Sequence, residues 1–197
     1  MQQSTLTRRV LTATALLTGI TLAVPATASA ASGRTPHRSP LFTLVELSAQ
    51  RLATADVVAA AKWGTGSPTD DPVREKQVLD WVAVQAGQLG SDPVAAQRVF
   101  QDQMDANKIV QTGLNDQWKA DPSTVPAHRA SLNEVREEIN RINGALVKAL
   151  AESTRDRSSR RCHDRLSRQV EHVRRGQHLD RLHTAALSHA LTSVCSR

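Results

Sequence analysis

From Leu41 onward the apolar residues recur at intervals of three and four, and no run alternates apolar with polar for the length of a strand. A period near 3.6 commits the chain to helices. Ala, Leu, Gln and Arg supply most positions between the breakers, and all four are good helix formers. The spacing predicts a first helix from about Leu41 to Trp63, with Leu44, Leu47, Leu52, Ala55 and Val58 near one face. Gly64-Thr65-Gly66-Ser67-Pro68 breaks it. A second helix runs to about Leu89, capped either by Ser67 with Asp70 or by Asp71 before Pro72. Gly90-Ser91-Asp92-Pro93 ends it and opens a long third helix, to about Lys119. The prolines of the stretch 121–126 mark a linker, and Ser131 with Glu134 forms a capping box for a fourth helix to about Glu152. Helices from about Arg161 to Arg175 and from His178 to Val194 complete the chain. The fold class is all-α, a single domain of about six helices over residues 41–197 without internal repeats.

The first thirty residues read as a targeting leader rather than as part of that domain. Arg8 and Arg9 form a positive start, Val10 to Val24 an apolar stretch, and Ala28-Ser29-Ala30 the small residues of a cleavage site after Ala30. The apolar stretch falls short of the roughly 20 residues that span a bilayer, so a signal peptide is expected, and no lasting membrane association. A faint twin-arginine look around Arg8-Arg9 leaves the export route open. Residues 31–40 are expected to be a flexible lead-in. Export to an oxidising compartment predicts that Cys162 and Cys195 are joined. A helical hairpin turning near Gly176 has arms of similar length to the two cysteines and brings both to one end.

Removing a leader that carries two arginines and no acid lowers the net charge from +6 to +4. Much of the excess lies between Arg155 and Arg181, a stretch that raises the question of nucleic acid. With no Tyr and only two Phe, bases would find little to stack on, and a solvated Arg-rich helix face is the better reading. His163, His172, His178, His183 and His189 are scattered along the same helices as surface or interface residues. There is no His-Glu-x-x-His, no cysteine pair at finger spacing, no phosphate loop and no nucleophile elbow, so neither metal nor cofactor is expected.

What remains are cations set into apolar helix faces. Lys62 follows Val57-Val58-Ala59-Ala60-Ala61, and Arg51 stands 11 positions before it. Eleven residues are three helical turns, so the two side chains lie within about 20° of each other. Asp71, Arg74 and Glu75 share a face of the second helix. Asn107 and Gln111 are one turn apart on the third, among Met104, Ile109, Val110 and Leu114, and Arg136 opens the fourth. Taken singly, each has a plain explanation as a solvated residue or a surface ion pair.

Taken together, these spacings resemble the helical AroQ-type chorismate mutases. Arg51 to Lys62 is 11 positions, Lys62 to Arg74 is 12, and Asp71 and Glu75 bracket Arg74. Asn107 with Gln111 continues the pattern. Ala59-Ala60-Ala61-Lys62-Trp63, Arg98-Val99-Phe100-Gln101-Asp102-Gln103, Asp116-Gln117-Trp118-Lys119, His178-Leu179-Asp180 and the cysteine pair resemble the secreted gamma subclass, over roughly residues 44–195. The resemblance implies a helical bundle of the chorismate mutase II kind, an isomerase that rearranges chorismate to prephenate in aromatic amino acid metabolism. It also implies a homodimer and no regulatory domain. Lys62 and Gln111 would flank the ether oxygen, and Arg51 and Arg136 would hold carboxylates. Arg74, buttressed by Asp71, would assist, and Glu75 would accept from the ring hydroxyl. Asn107 stands where the family commonly has a small hydroxyl residue and would hydrogen-bond a carboxylate. The competing readings are a non-catalytic exported protein binding an anionic ligand, and a nucleic-acid binder working through the basic fifth helix.

Overall fold

In the computed structural model residues 38–195 are described, and all of their regular structure is helical. The leader, its cleavage site and the segment 31–37 lie outside the described residues. The helices are α1 (Pro40–Lys62), α2 (Pro72–Gln88), α3 (Pro93–Ala120), α4 (Leu132–Glu152), α5 (Thr154–Arg157), α6 (Cys162–Gly176) and α7 (Arg181–Ala190), with a 3-10 turn at Pro122–Thr124. The short α5 is one more helix than the periodicity predicts, because four residues are too few to show a period. The last helix stops at Ala190, and residues 191–195 form turns.

Local chemistry sets most of the boundaries. Ser39 accepts from the Phe42 N–H and starts α1, so the lead-in ends in a cap at the residue before Pro40. Between the two caps open for α2, the chain uses Asp71, whose Oδ1 accepts from the Arg74 N–H, with Pro72 at the first helical position. Asp92 caps α3 in the same way. Ser131 and Glu134 form the full capping box of α4.

α1 and α3 are the spine: α1 packs on α3, α4 and α6, while α3 packs on α2 and α7. The core between them is built from Leu44, Val45, Leu52, Val82, Val99, Phe100, Val110, Leu146, Leu150 and Leu187. A second small cluster forms where Trp63 at the end of α1 meets Trp118 edge-to-face, ring centres 5.4 Å apart. Those are the two tryptophans of the resemblance motifs. Their contact ties the Lys62 end of α1 to α3.

Cys162 and Cys195 are disulfide-bonded, with Cα atoms 5.8 Å apart. The hairpin that carries them differs from a simple antiparallel pair, since α6 lies on α1 and α7 chiefly on α3. The C-terminal segment is held by further bonds. Asp102 accepts from the Ser193 N–H, and the buried Arg157 donates from Nε to the Val194 carbonyl. Arg157 therefore departs from the solvated-face reading of the basic stretch, whereas Arg155, Arg160, Arg161, Arg165, Arg168, Arg175 and Arg181 are exposed. His183 is a second departure. Its ring bridges Asp56 on α1 at 2.9 Å and Asp180 at 2.8 Å, and the two hydrogen-bonded carboxylates push its pKa up to about 9.

Candidate active site

α1, α2, α3 and α4 enclose a cavity of about 130 Å³, and all eight residues singled out in the sequence line it: Arg51, Lys62, Asp71, Arg74, Glu75, Asn107, Gln111 and Arg136. Val58, Val78, Met104, Leu132 and Ile139 supply its apolar wall. Arg51 and Lys62 share a lip of α1 because of their three-turn spacing. The chain after α1 then folds back over Lys62. Gly64 and Gly66 take φ of 76° and 74°, the left-handed region that lets so short a loop reverse. That reversal delivers the Pro68 and Thr69 carbonyls to Lys62 Nζ, at 2.7 and 3.1 Å.

The cations are held by neutral oxygens. Arg51, only 5% exposed, donates from Nε to Asn143 Oδ1 and from Nη1 to the Gln103 carbonyl, both at 2.9 Å. Burial pushes its pKa down to about 10, which still leaves it charged at neutral pH. Lys62 is likewise lowered by burial, with Asp71 opposing the shift and Arg136 reinforcing it. Arg74 donates to Asn140 Oδ1 at 2.8 Å. Among the described residues no carboxylate forms an ion pair with Arg51, Lys62 or Arg74.

The acids pair elsewhere, which corrects one expectation. Asp71 does not buttress the Arg74 guanidinium. Its Oδ1 is occupied in capping α2, and its Oδ2 lies 3.8 Å from Arg136 Nη2. Glu75 accepts from Lys108 at 3.2 Å. Lys108 lines the cavity and is a residue that sequence reasoning missed. Its signal was present, one position after Asn107 and one helical turn after Asp105, but Asp70 and Glu75 reach it only in the fold. Burial lowers the Lys108 pKa, and the hydrogen bonds to Asp105 and Glu75 outweigh that, so the net shift is upward. Five cations against two acids line the cavity, and among the described residues Arg136 and Lys108 have acidic partners while Arg51, Lys62 and Arg74 have none.

The amide side of the cavity is Gln111, which is 4% exposed. Its Nε2 donates to Asn107 Oδ1 at 2.7 Å, which engages one of two hydrogens and leaves the other N–H for a ligand. Gln111 Oε1 is buried without a partner. No group of three or more His, Cys, Asp or Glu side chains suited to hold a metal occurs among the described residues. Fixed positive charge and an amide donor around one small cavity in a helical bundle define a receptor for a compact polyanion, and for chemistry in which developing negative charge is stabilised without a nucleophile.

The comparisons with known proteins give that class its family. The model of chorismate mutase type II matches residues 43–112, a stretch running through α1, α2 and α3 as far as the residue after Gln111. The chain is 37% identical over 179 residues to the secreted chorismate mutase of Mycolicibacterium smegmatis, covering 88% of this chain and 99% of that one. To the secreted chorismate mutase of Mycobacterium tuberculosis it is 31% identical over 188 residues, 95% of this chain and 94% of the relative. The crystal structure of chorismate mutase from Burkholderia phymatum matches with a TM-score of 0.76 at 36% identity, over 80% of this chain and 97% of that one. The chain belongs to the chorismate mutase family.

Proposed function

We propose that this chain is an exported chorismate mutase that rearranges chorismate to prephenate by restraint and electrostatics alone. Chorismate carries two carboxylates and an enol ether. It reacts through a chair-like pericyclic transition state, in which negative charge gathers on the ether oxygen as its C–O bond breaks. The demand on the protein is to fold the side chain over the ring and to meet that charge. Both are met by positioned donors and neither by proton transfer. One observation carries the reading: Arg51, Lys62 and Arg74 surround a single cavity while their protein partners are all neutral oxygens.

In this reading Arg51 and Arg136 bind the substrate carboxylates, with Asn107 hydrogen-bonding one of them. Arg74 assists, held by Asn140. Lys62 and the free N–H of Gln111 converge on the ether oxygen, and Glu75, steadied by Lys108, accepts from the ring hydroxyl. All these side chains come from four helices of one chain, so each site is complete without a partner, whether or not the protein forms the homodimer that its family resemblance implies. Export is supported by the leader-like first thirty residues and by the relatives named as secreted.

The test is chorismate consumption followed by its ultraviolet absorbance, with Lys62→Ala beside the wild type. Losing one donor to the developing oxyanion lowers kcat by about 10² to 10³. The fold should survive, because Lys62 is bound only to loop carbonyls. Wild-type protein that binds chorismate without consuming it would instead make this a binding protein.

A further inference from the structure

We infer that Asn143 is a positioning residue for Arg51, and that its neutrality is what leaves the guanidinium's charge available to a substrate carboxylate. The inference rests on the chorismate reading above and extends it to a residue outside the cavity lining. Asn143 is 1% exposed and sits on α4, seven residues beyond Arg136 and on the same face. Its Oδ1 accepts the Nε–H of Arg51, and the Gln103 carbonyl accepts from Nη1 on the other flank. A guanidinium has five N–H groups in a rigid plane, so anchors on its two flanks, at Nε and Nη1, fix that plane and set the direction of the other three. The anchor holds Arg51 in place before any ligand arrives.

The choice of amide over acid at this position runs against stability. A buried arginine is ordinarily paired with a carboxylate, because an uncompensated buried charge is costly. Here that cost is visible as the downward push on the Arg51 pKa, caused by burial with no acid to offset it. Aspartate is nearly the same size as asparagine and would accept the same Nε–H bond. It would also neutralise Arg51 and so weaken its hold on a dianion. Folding alone therefore favours Asp at 143, and binding favours Asn. α4 repeats the device one turn earlier, where Asn140 Oδ1 accepts from Arg74.

The test is a comparison of wild type, Asn143→Asp and Asn143→Ala in steady-state chorismate turnover and thermal melting. Asn143→Asp should melt at or above the wild-type temperature. It should raise KM for chorismate by at least about tenfold through loss of charge complementarity, with kcat within about threefold, since Arg51 grips the carboxylate in ground and transition states alike. Asn143→Ala, which removes the anchor and opens a small void, should melt lower and lose kcat/KM as well. A merely structural Asn143 predicts that KM stays put in Asn143→Asp, or that activity and melting temperature fall together in both variants; either result overturns the inference. So does an Asn143→Asp protein that fails to fold, because the acid is argued to pair with Arg51. Wild-type protein with no turnover at all would strike the chorismate reading itself, an outcome separate from these.

Discussion

The bridge made by His183 gives a stability prediction whose size and sign follow from the structure. An imidazolium held between Asp56 and Asp180 titrates near 9, against 6.5 for the free side chain. The largest cause is the hydrogen bond to Asp56. A tenfold gain in proton affinity is worth about 1.4 kcal/mol, so the bridge contributes at most about 3.4 kcal/mol. The ring is 15% exposed, but its partner carboxylates are 50% and 62% exposed, and solvent screens such pairs. A net contribution of about 1 to 2 kcal/mol is the reasonable size. Because the folded pKa is raised, the stabilisation is complete below about pH 6.5 and is lost as the pH climbs through about 9. Urea unfolding of wild type and His183→Gln, disulfide intact, reads this directly. At pH 6 the wild type should be more stable by about 1 to 2 kcal/mol, and by pH 10 the gap should close to within about 0.5 kcal/mol. A gap that is constant across that range, or that widens with pH, would refute the idea that a protonated His183 ties α7 to α1.

Two further predictions concern position 111 and the disulfide. Gln111 donates whatever the pH, so wild-type kcat should show no fall between pH 5 and 8 that a residue at 111 causes. Gln111→Glu must be protonated to donate, and its kcat should drop steeply over that range while wild type does not. A parallel drop in both proteins would place the titrating group elsewhere. Replacing Cys162 and Cys195 together by Ser opens a loop of sequence separation 33 and should cost about 3 to 4 kcal/mol of stability, read as a lower urea midpoint. Since the same segment is also held by Asp102 and Arg157, the double Ser variant should still fold, and chorismate turnover at 25 °C should persist.

Much of the site was legible because it is written in helical arithmetic and in local caps. The positions of Arg51 and Lys62 on one lip of α1 follow from a three-turn spacing. The start of α2 at Pro72 follows from Asp71, and the start of α4 from Ser131 and Glu134, since a cap acts over three or four residues. Asn107 and Gln111 meet because they are one turn apart. Resemblance then supplied the link between helices that no spacing contains, and so brought Arg136 into the same set. The Asp71 contact was misjudged for a related reason. Residues 71 and 74 share a face, but the acid's first duty is to its own helix end, and its other oxygen turns to a guanidinium on α4.

The order of side chains along the chain thus determined by itself that this protein is helical, where most of its helices begin, and which cations and amides line up on each. Only the packing of α1 to α4 decided that these faces close on one cavity, that Asn143 and the Gln103 carbonyl hold Arg51, and that Lys108 joins Glu75. Packing also decided that His183 reaches Asp56 across 127 positions. The physical reason is range: periodicity and capping act within about one turn of helix, whereas the partner of a buried charge is chosen by whichever helix the hydrophobic faces bring against it.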